Sequence, residues 1–133
     1  MALKANLISA PAFESAARNP HDPNHLMVIK PVKQRVRVFH GDCLLADSHS
    51  AKRVLEVGHG VYDPVIYIPV KDIVFDFTPV EKSTHCPIKG DARYVAAHGE
   101  EVGWVYDTPL PMATELGECY AFWPDKTRLV IGM

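Results

Sequence analysis

The sequence predicts a mainly β fold: a single domain of about seven or eight short antiparallel strands with one short helix. Three observations carry this. Apolar and polar residues alternate at period two in several short segments. Those segments are rich in β-branched and aromatic residues. Eleven prolines and eight glycines spread over 133 residues punctuate the chain into short runs.

Residues 1–30 read as an N-terminal arm, and residues 31–133 as the β domain. In the arm, residues 8–18 predict a short amphipathic helix with Phe13, Ala16 and Ala17 on one side, and Asn19 to His25 is turn chemistry throughout. Val36 and Val38 alternate with Arg35 and Arg37 as a half-buried strand with a basic outer face. His40-Gly41-Asp42 is a tight turn, and Cys43 to Ala46 returns as a second strand. Ser48 to Val57 is the helix candidate: Ser48 or Ser50 caps it, Ala51, Val54 and Leu55 share a face, and Gly58 ends it. Further strands are expected at Val65–Ile68, fenced by Pro64 and Pro69, and at Asp72–Phe77, stopped by Pro79. Arg93–Ala97 and Val102–Tyr106 read as a hairpin around His98-Gly99-Glu100-Glu101. Tyr120–Trp123 and Leu129–Ile131 complete the set.

Composition excludes several classes. A net charge of −2 argues against a dedicated nucleic-acid binder. No apolar run approaches the roughly 18 residues of a membrane helix, and no continuous apolar segment near Met1 predicts a signal peptide. Cys43, Cys86 and Cys119 lie far apart with no CxxC pair, which fits free thiols in a reducing cytoplasm. Seven histidines show no HxH or HExxH spacing, so no metal is expected. The scattered glycines make no phosphate cradle, and no cofactor is expected.

The richest segment is Thr84-His85-Cys86-Pro87-Ile88-Lys89-Gly90-Asp91. A nearby cation turns a cysteine into a nucleophile by lowering its pKa, and Lys89 and His85 are both close in sequence. On that reading Cys86 attacks or contacts a ligand and Lys89 binds an anion. The plainer reading has Cys86 filling a buried gap beside a solvated turn. Elsewhere the plain readings are favoured. Asp47 and Ser48 cap the helix, Glu56 pairs with Lys52 one turn earlier, and Tyr67, Trp104 and Tyr106 are core aromatics. Lys33, Arg35 and Arg37 protect an edge strand.

As a set these residues resemble a known family. Arg35-Val36-Arg37-Val38, Ala46-Asp47-Ser48, Val54-Leu55-Glu56-Val57-Gly58, Tyr67-Ile68-Pro69 and Asp72 occur in order. Thr84-His85-Cys86-Pro87-Ile88-Lys89-Gly90, Trp104-Val105-Tyr106, Pro109, Gly117 and Ala121-Phe122 follow. The pattern is similar to the bacterial domain-of-unknown-function family 427 over roughly residues 25–125. It departs from the family at Gly58–Pro64, which is long, and at Trp123, where tyrosine is expected. The resemblance implies a mostly β, β-tent-like architecture. A nucleotidyltransferase label is attached to the family, but this sequence has neither a phosphate loop nor a compact set of metal-binding carboxylates. What carries over is a set of motif positions: Asp47, Ser48, Glu56, Tyr67, Thr84, Cys86, Lys89, Trp104 and Tyr106.

With the resemblance, the Thr84–Gly90 loop is expected to line a pocket for an unidentified polar small molecule. Cys86, Lys89 and Glu56 are the catalytic candidates. Asp47, Ser48, Tyr67, Thr84, Trp104 and Tyr106 are the substrate-binding candidates. Whether chemistry occurs is left open. Two alternatives stand: a ligand- or peptide-binding module without catalysis, and a structural protein that forms homo-oligomers through its N-terminal arm.

Overall fold

The computed structural model describes residues 16–133. Among the described residues, eleven strands form two antiparallel sheets. The strands are β1 (Ala17–Asn19), β2 (Asp22–Pro31), β3 (Val36–His40), β4 (Cys43–Ser48), β5 (Lys52–Val57) and β6 (Val65–Pro69). They continue as β7 (Thr78–Cys86), β8 (Gly90–Ala97), β9 (Glu100–Tyr106), β10 (Cys119–Phe122) and β11 (Arg128–Ile131). Eight of them form one sheet in the order β1-β2-β5-β6-β10-β9-β8-β7, and β11-β3-β4 form the other.

The alternation seen in the sequence sorts side chains onto the two faces of the large sheet. Ile66, Ile68, Ala97, Val102 and Phe122 pack against Val36, Val38, Leu45 and Ala46 of the small sheet. The other face gathers residues from every strand of the large sheet: Ala17, Met27, Val54, Tyr67, Ala121, Tyr106, Tyr94 and Val80 among them. Ile88, Ala113 and Leu116 cover that face from outside the strands.

The large sheet is strongly curled. Lys89, in the turn between β7 and β8, reaches Glu56 on β5 at 2.5 Å. In a flat sheet four inter-strand steps of about 4.8 Å would separate β5 from β8 by about 19 Å. Two side chains cannot span that distance, so the sheet bends until its β8 side faces β5. The ion pair ties the two sides of this concave face, the trough of the sheet, together.

The predicted fold class holds, with local corrections. Ser48–Val57 is no helix. After a bend at residues 49–50, Lys52–Val57 is strand β5, paired with both β2 and β6. Pairing on two sides satisfies its backbone, and this outweighs a weak helical spacing. The Lys52–Glu56 pair expected on a helix turn is therefore lost. Asp72–Phe77 is no strand: residues 70–72 form a 3-10 turn and Ile73 makes a single bridge to Ala46. Ile73, Phe75 and Phe77 still share the core beneath the small sheet, as their spacing predicts. Pro79 stops nothing. It lies inside β7 opposite Val95, where an edge strand tolerates a missing N–H. The Arg93–Tyr106 hairpin and the strands at Val36, Cys43, Val65, Tyr120 and Leu129 lie where the sequence places them.

Residues 17–31, most of them within the arm, form the β1–β2 hairpin of the large sheet. Its turn is Pro20-His21, closed by the His21 N–H donating to Asn19 Oδ1 at 2.8 Å. Of the helix expected at 8–18, residues 8–15 lie outside the described residues, and Ala17 and Arg18 are strand.

Candidate active site in the trough of the large sheet

Lys89 is the one buried charged residue among the described residues, at 7% exposure. The chain around it explains how it is held. Gly90 has φ +106°, a left-handed conformation that glycine adopts without strain, and turns the chain directly into β8. Ile88 is fully buried, and the Lys89 carbonyl accepts the Leu110 N–H at 2.9 Å. The turn is thus pinned on both sides, and the Lys89 side chain is delivered into the trough.

There the ammonium donates to Glu56 Oε1 at 2.5 Å. Glu56 Oε2 is 2.6 Å from His25 Nε2. Asn19 Nδ2 lies 3.1 Å from His25 Nδ1. An amide nitrogen only donates, so Nδ1 accepts and Nε2 carries the proton given to Glu56. Burial opposes ionisation of Glu56, but the bonds from His25 and Lys89 prevail and hold its carboxyl below the usual range. Glu56 is therefore a fixed carboxylate at neutral pH, suited to binding and orienting rather than to exchanging protons.

Cys86 sits three residues before Lys89, and the Lys89 backbone N–H donates to its Sγ at 3.4 Å. This is the one direct link from Lys89 to the sulfur, because the ammonium is committed to Glu56. The aromatic residues line the same face. Tyr67 accepts the Trp104 Nε1–H at 3.2 Å, and the Tyr67 and Tyr106 rings lie 6.4 Å apart. Burial first, and then neighbours including Glu56 and Cys86, push both phenols well above the usual tyrosine range. Both are neutral O–H donors at physiological pH. Among the described residues the Tyr106 hydroxyl has no protein hydrogen-bond partner and keeps some contact with solvent, and the Tyr67 oxygen is engaged only as an acceptor. Thr84 Oγ1 and the Tyr94 hydroxyl share a 2.7 Å hydrogen bond.

The structure therefore joins Glu56, Lys89 and Cys86, and sets Tyr67, Trp104 and Tyr106 in the trough beside them. Thr84 reaches this face through Tyr94. Asp47 and Ser48 go elsewhere. Asp47 receives two hydrogen bonds from Arg35, at 2.6 and 2.8 Å, which hold its carboxyl below the usual range. Ser48 donates to Asp72 at 2.6 Å and accepts the Ser50 N–H at 2.9 Å. Both belong to β4 of the small sheet.

The sequence reading missed His25 and Tyr94. Period two from the buried Met27 back to His25 puts both on the trough face, a signal hidden by the turn-forming residues around it. Tyr94 lies opposite Trp104 in the hairpin that was recognised.

All three cysteines are free thiols. Among the described residues no three His, Cys, Asp or Glu side chains gather as a metal site requires. No described helix is long and apolar enough to cross a membrane. No curated protein matches the chain. A family model does match residues 28–131, from within β2 to the end of β11, and so takes in Glu56, Cys86 and Lys89. By that match the chain belongs to the family described as domain of unknown function 427.

Proposed function

We propose that this domain binds a polar small molecule in the trough and that Cys86 is the group that reacts with it. The observation that carries the reading is the grouping of a buried ion pair, a thiol and two phenol donors on one face. Buried ion pairs are poor stabilisers compared with apolar residues of similar size. Their presence beside a thiol on one concave face therefore points to use. The ligand presents acceptor oxygens to the Tyr67 and Tyr106 hydroxyls and lies against the Trp104 ring. Cys86, half-buried at the end of β7, faces it from the turn that holds Lys89. A reducing cytoplasm keeps this sulfur a thiol.

A second reading, binding without chemistry, has one observation in its favour: Glu56 already occupies the Lys89 ammonium, so that charge is not free to serve Cys86.

One experiment separates the two. The folded protein is treated with iodoacetamide across a pH series, and each cysteine is followed by mass spectrometry. Cys119 is the internal standard for an inert thiol, since it is 3% exposed and burial pushes it up. Cys86 is expected to react at least tenfold faster than Cys119 and faster than Cys43. A Cys86 rate equal to that of Cys119 removes the nucleophile and leaves the binding module.

A further inference from the structure

A second hollow, of about 280 Å³, opens where the start of β6 meets the ends of β9 and β10. Trp104, Trp123, Phe122 and Ile66 border it, with Asp63 and Thr127 as its polar members. The two indoles are 4.4 Å apart and tilted by 49°. Each is fixed by its own N–H: Trp104 donates to Tyr67 at 3.2 Å and Trp123 to Glu101 at 2.8 Å. Rings held by their edges present a preorganised aromatic wall.

The lining itself carries one charge, and it is negative; Arg53, opposite Ile66 on β5, stands outside the lining. Asp63 is the one ionisable residue in the lining, it is exposed, and among the described residues it has no ion pair or hydrogen bond. The Thr127 hydroxyl is already used, donating to the Trp123 carbonyl at 2.8 Å. Trp123 also borders a neighbouring hollow that holds Glu100, Glu101 and Asp125 against a single lysine, Lys126. Glu100 is met by Lys126 and His40, and Glu101 by Lys82, while Asp125 has no ion pair among the described residues. Indole rings are electron-rich on their faces and attract cations, above all cations that shed water easily.

We propose that this hollow is a binding site for a small organic cation carrying a trialkylammonium group. The ammonium packs on Trp104 and Trp123, and Asp63 supplies the counter-charge at the rim. A neutral apolar group of the same shape gains the contact but not the charge. A phosphate or carboxylate is repelled by Asp63 and the acidic hollow beyond Trp123. The site is separate from the reactivity of Cys86 and shares only Trp104 with the trough candidates.

The test uses the whole folded chain. Its two tryptophans give two indole N–H signals in a proton–nitrogen correlation spectrum. Choline chloride is titrated against sodium chloride at equal ionic strength, and 3,3-dimethylbutan-1-ol serves as the uncharged isostere. The expected result is a saturable shift of both indole signals with choline, and at least tenfold weaker binding of the neutral isostere. Asp63→Asn, at an exposed residue without a described partner, is expected to keep the melting temperature and weaken choline at least fivefold. No saturable shift, equal response to the isostere, or unchanged affinity in Asp63→Asn each overturns the proposal. None of these outcomes depends on Cys86, so failure here leaves the trough reading standing.

Discussion

The two faces of the large sheet are buried in different chemistry. The face beneath the small sheet is packed with Val36, Val38, Leu45, Ile68 and Val102, all fully buried. The trough face buries Tyr67, Tyr94 and Tyr106, and carries Glu56 and Lys89 between them. The first face is explained by the hydrophobic effect alone. The second contains charges and hydroxyls whose desolvation opposes folding, so its composition needs another reason. Burial therefore does not locate the site in this molecule; polar content within a buried face does.

The largest effects test whether the faces fail differently. Leu45→Ala, at a fully buried side chain, is expected to cost about 2–4 kcal/mol through the cavity it leaves. Lys89→Met is expected to cost a similar ~3 kcal/mol for another reason, a Glu56 carboxylate that has lost its ammonium partner and is left with His25 alone. Urea unfolding measures both. The distinguishing variant is Lys89→Met with Glu56→Leu, which removes the stranded charge and should return stability to within about 1 kcal/mol of the parent. A double variant as unstable as the single one would show that the cost of losing Lys89 is not electrostatic.

Acid provides a smaller and more selective probe. Glu56 has a lowered folded pKa, so its contribution is fully present above the ordinary value of 4.5. It is lost as pH falls through the lower folded value. The stability gap between the parent and Glu56→Gln should thus be wide at pH 7 and narrow at pH 3. A gap independent of pH would mean that Glu56 acts through its shape alone. Asp47 also has a lowered pKa, but its partner Arg35 is exposed, so Asp47→Asn should change the acid limb less than Glu56→Gln.

These contrasts show what the sequence could reveal. Strand alternation is local and was readable: Val36 and Val38, or Val65 to Ile68, declare their faces without any partner. The Ser48–Val57 segment failed because two periodicities coexist in it. Ala51, Val54 and Leu55 suit a helix, while Val54 and Glu56 suit one face of a strand, and the pairing with β2 and β6 decided between them. Ser48 explains the false cap, since its hydroxyl accepts the Ser50 N–H in a turn just as a cap would. Cys86 and Lys89 were readable as a pair because one turn holds both. Glu56 and Lys89 are 33 residues apart, and only the curl of the sheet brings them together. His25 was further hidden by the turn residues on either side of it.

The smallest effect distinguishes a hydroxyl that stabilises the fold from one held for a ligand. Ser48, on the small sheet, uses its hydroxyl twice, donating to Asp72 and accepting from Ser50. Ser48→Ala is therefore expected to cost about 1–2 kcal/mol. Tyr106, in the trough, has no described partner for its hydroxyl although the residue is 6% exposed. Tyr106→Phe keeps the ring and its packing, so stability should change by less than about 0.5 kcal/mol. Both values come from the same unfolding measurement. If Tyr106→Phe costs as much as Ser48→Ala, its hydroxyl is already satisfied within the protein. The trough would then offer one donor fewer to a ligand. If it costs nothing, the hydroxyl contributes nothing to the fold and stays free at the surface of the trough for a ligand's acceptor oxygen.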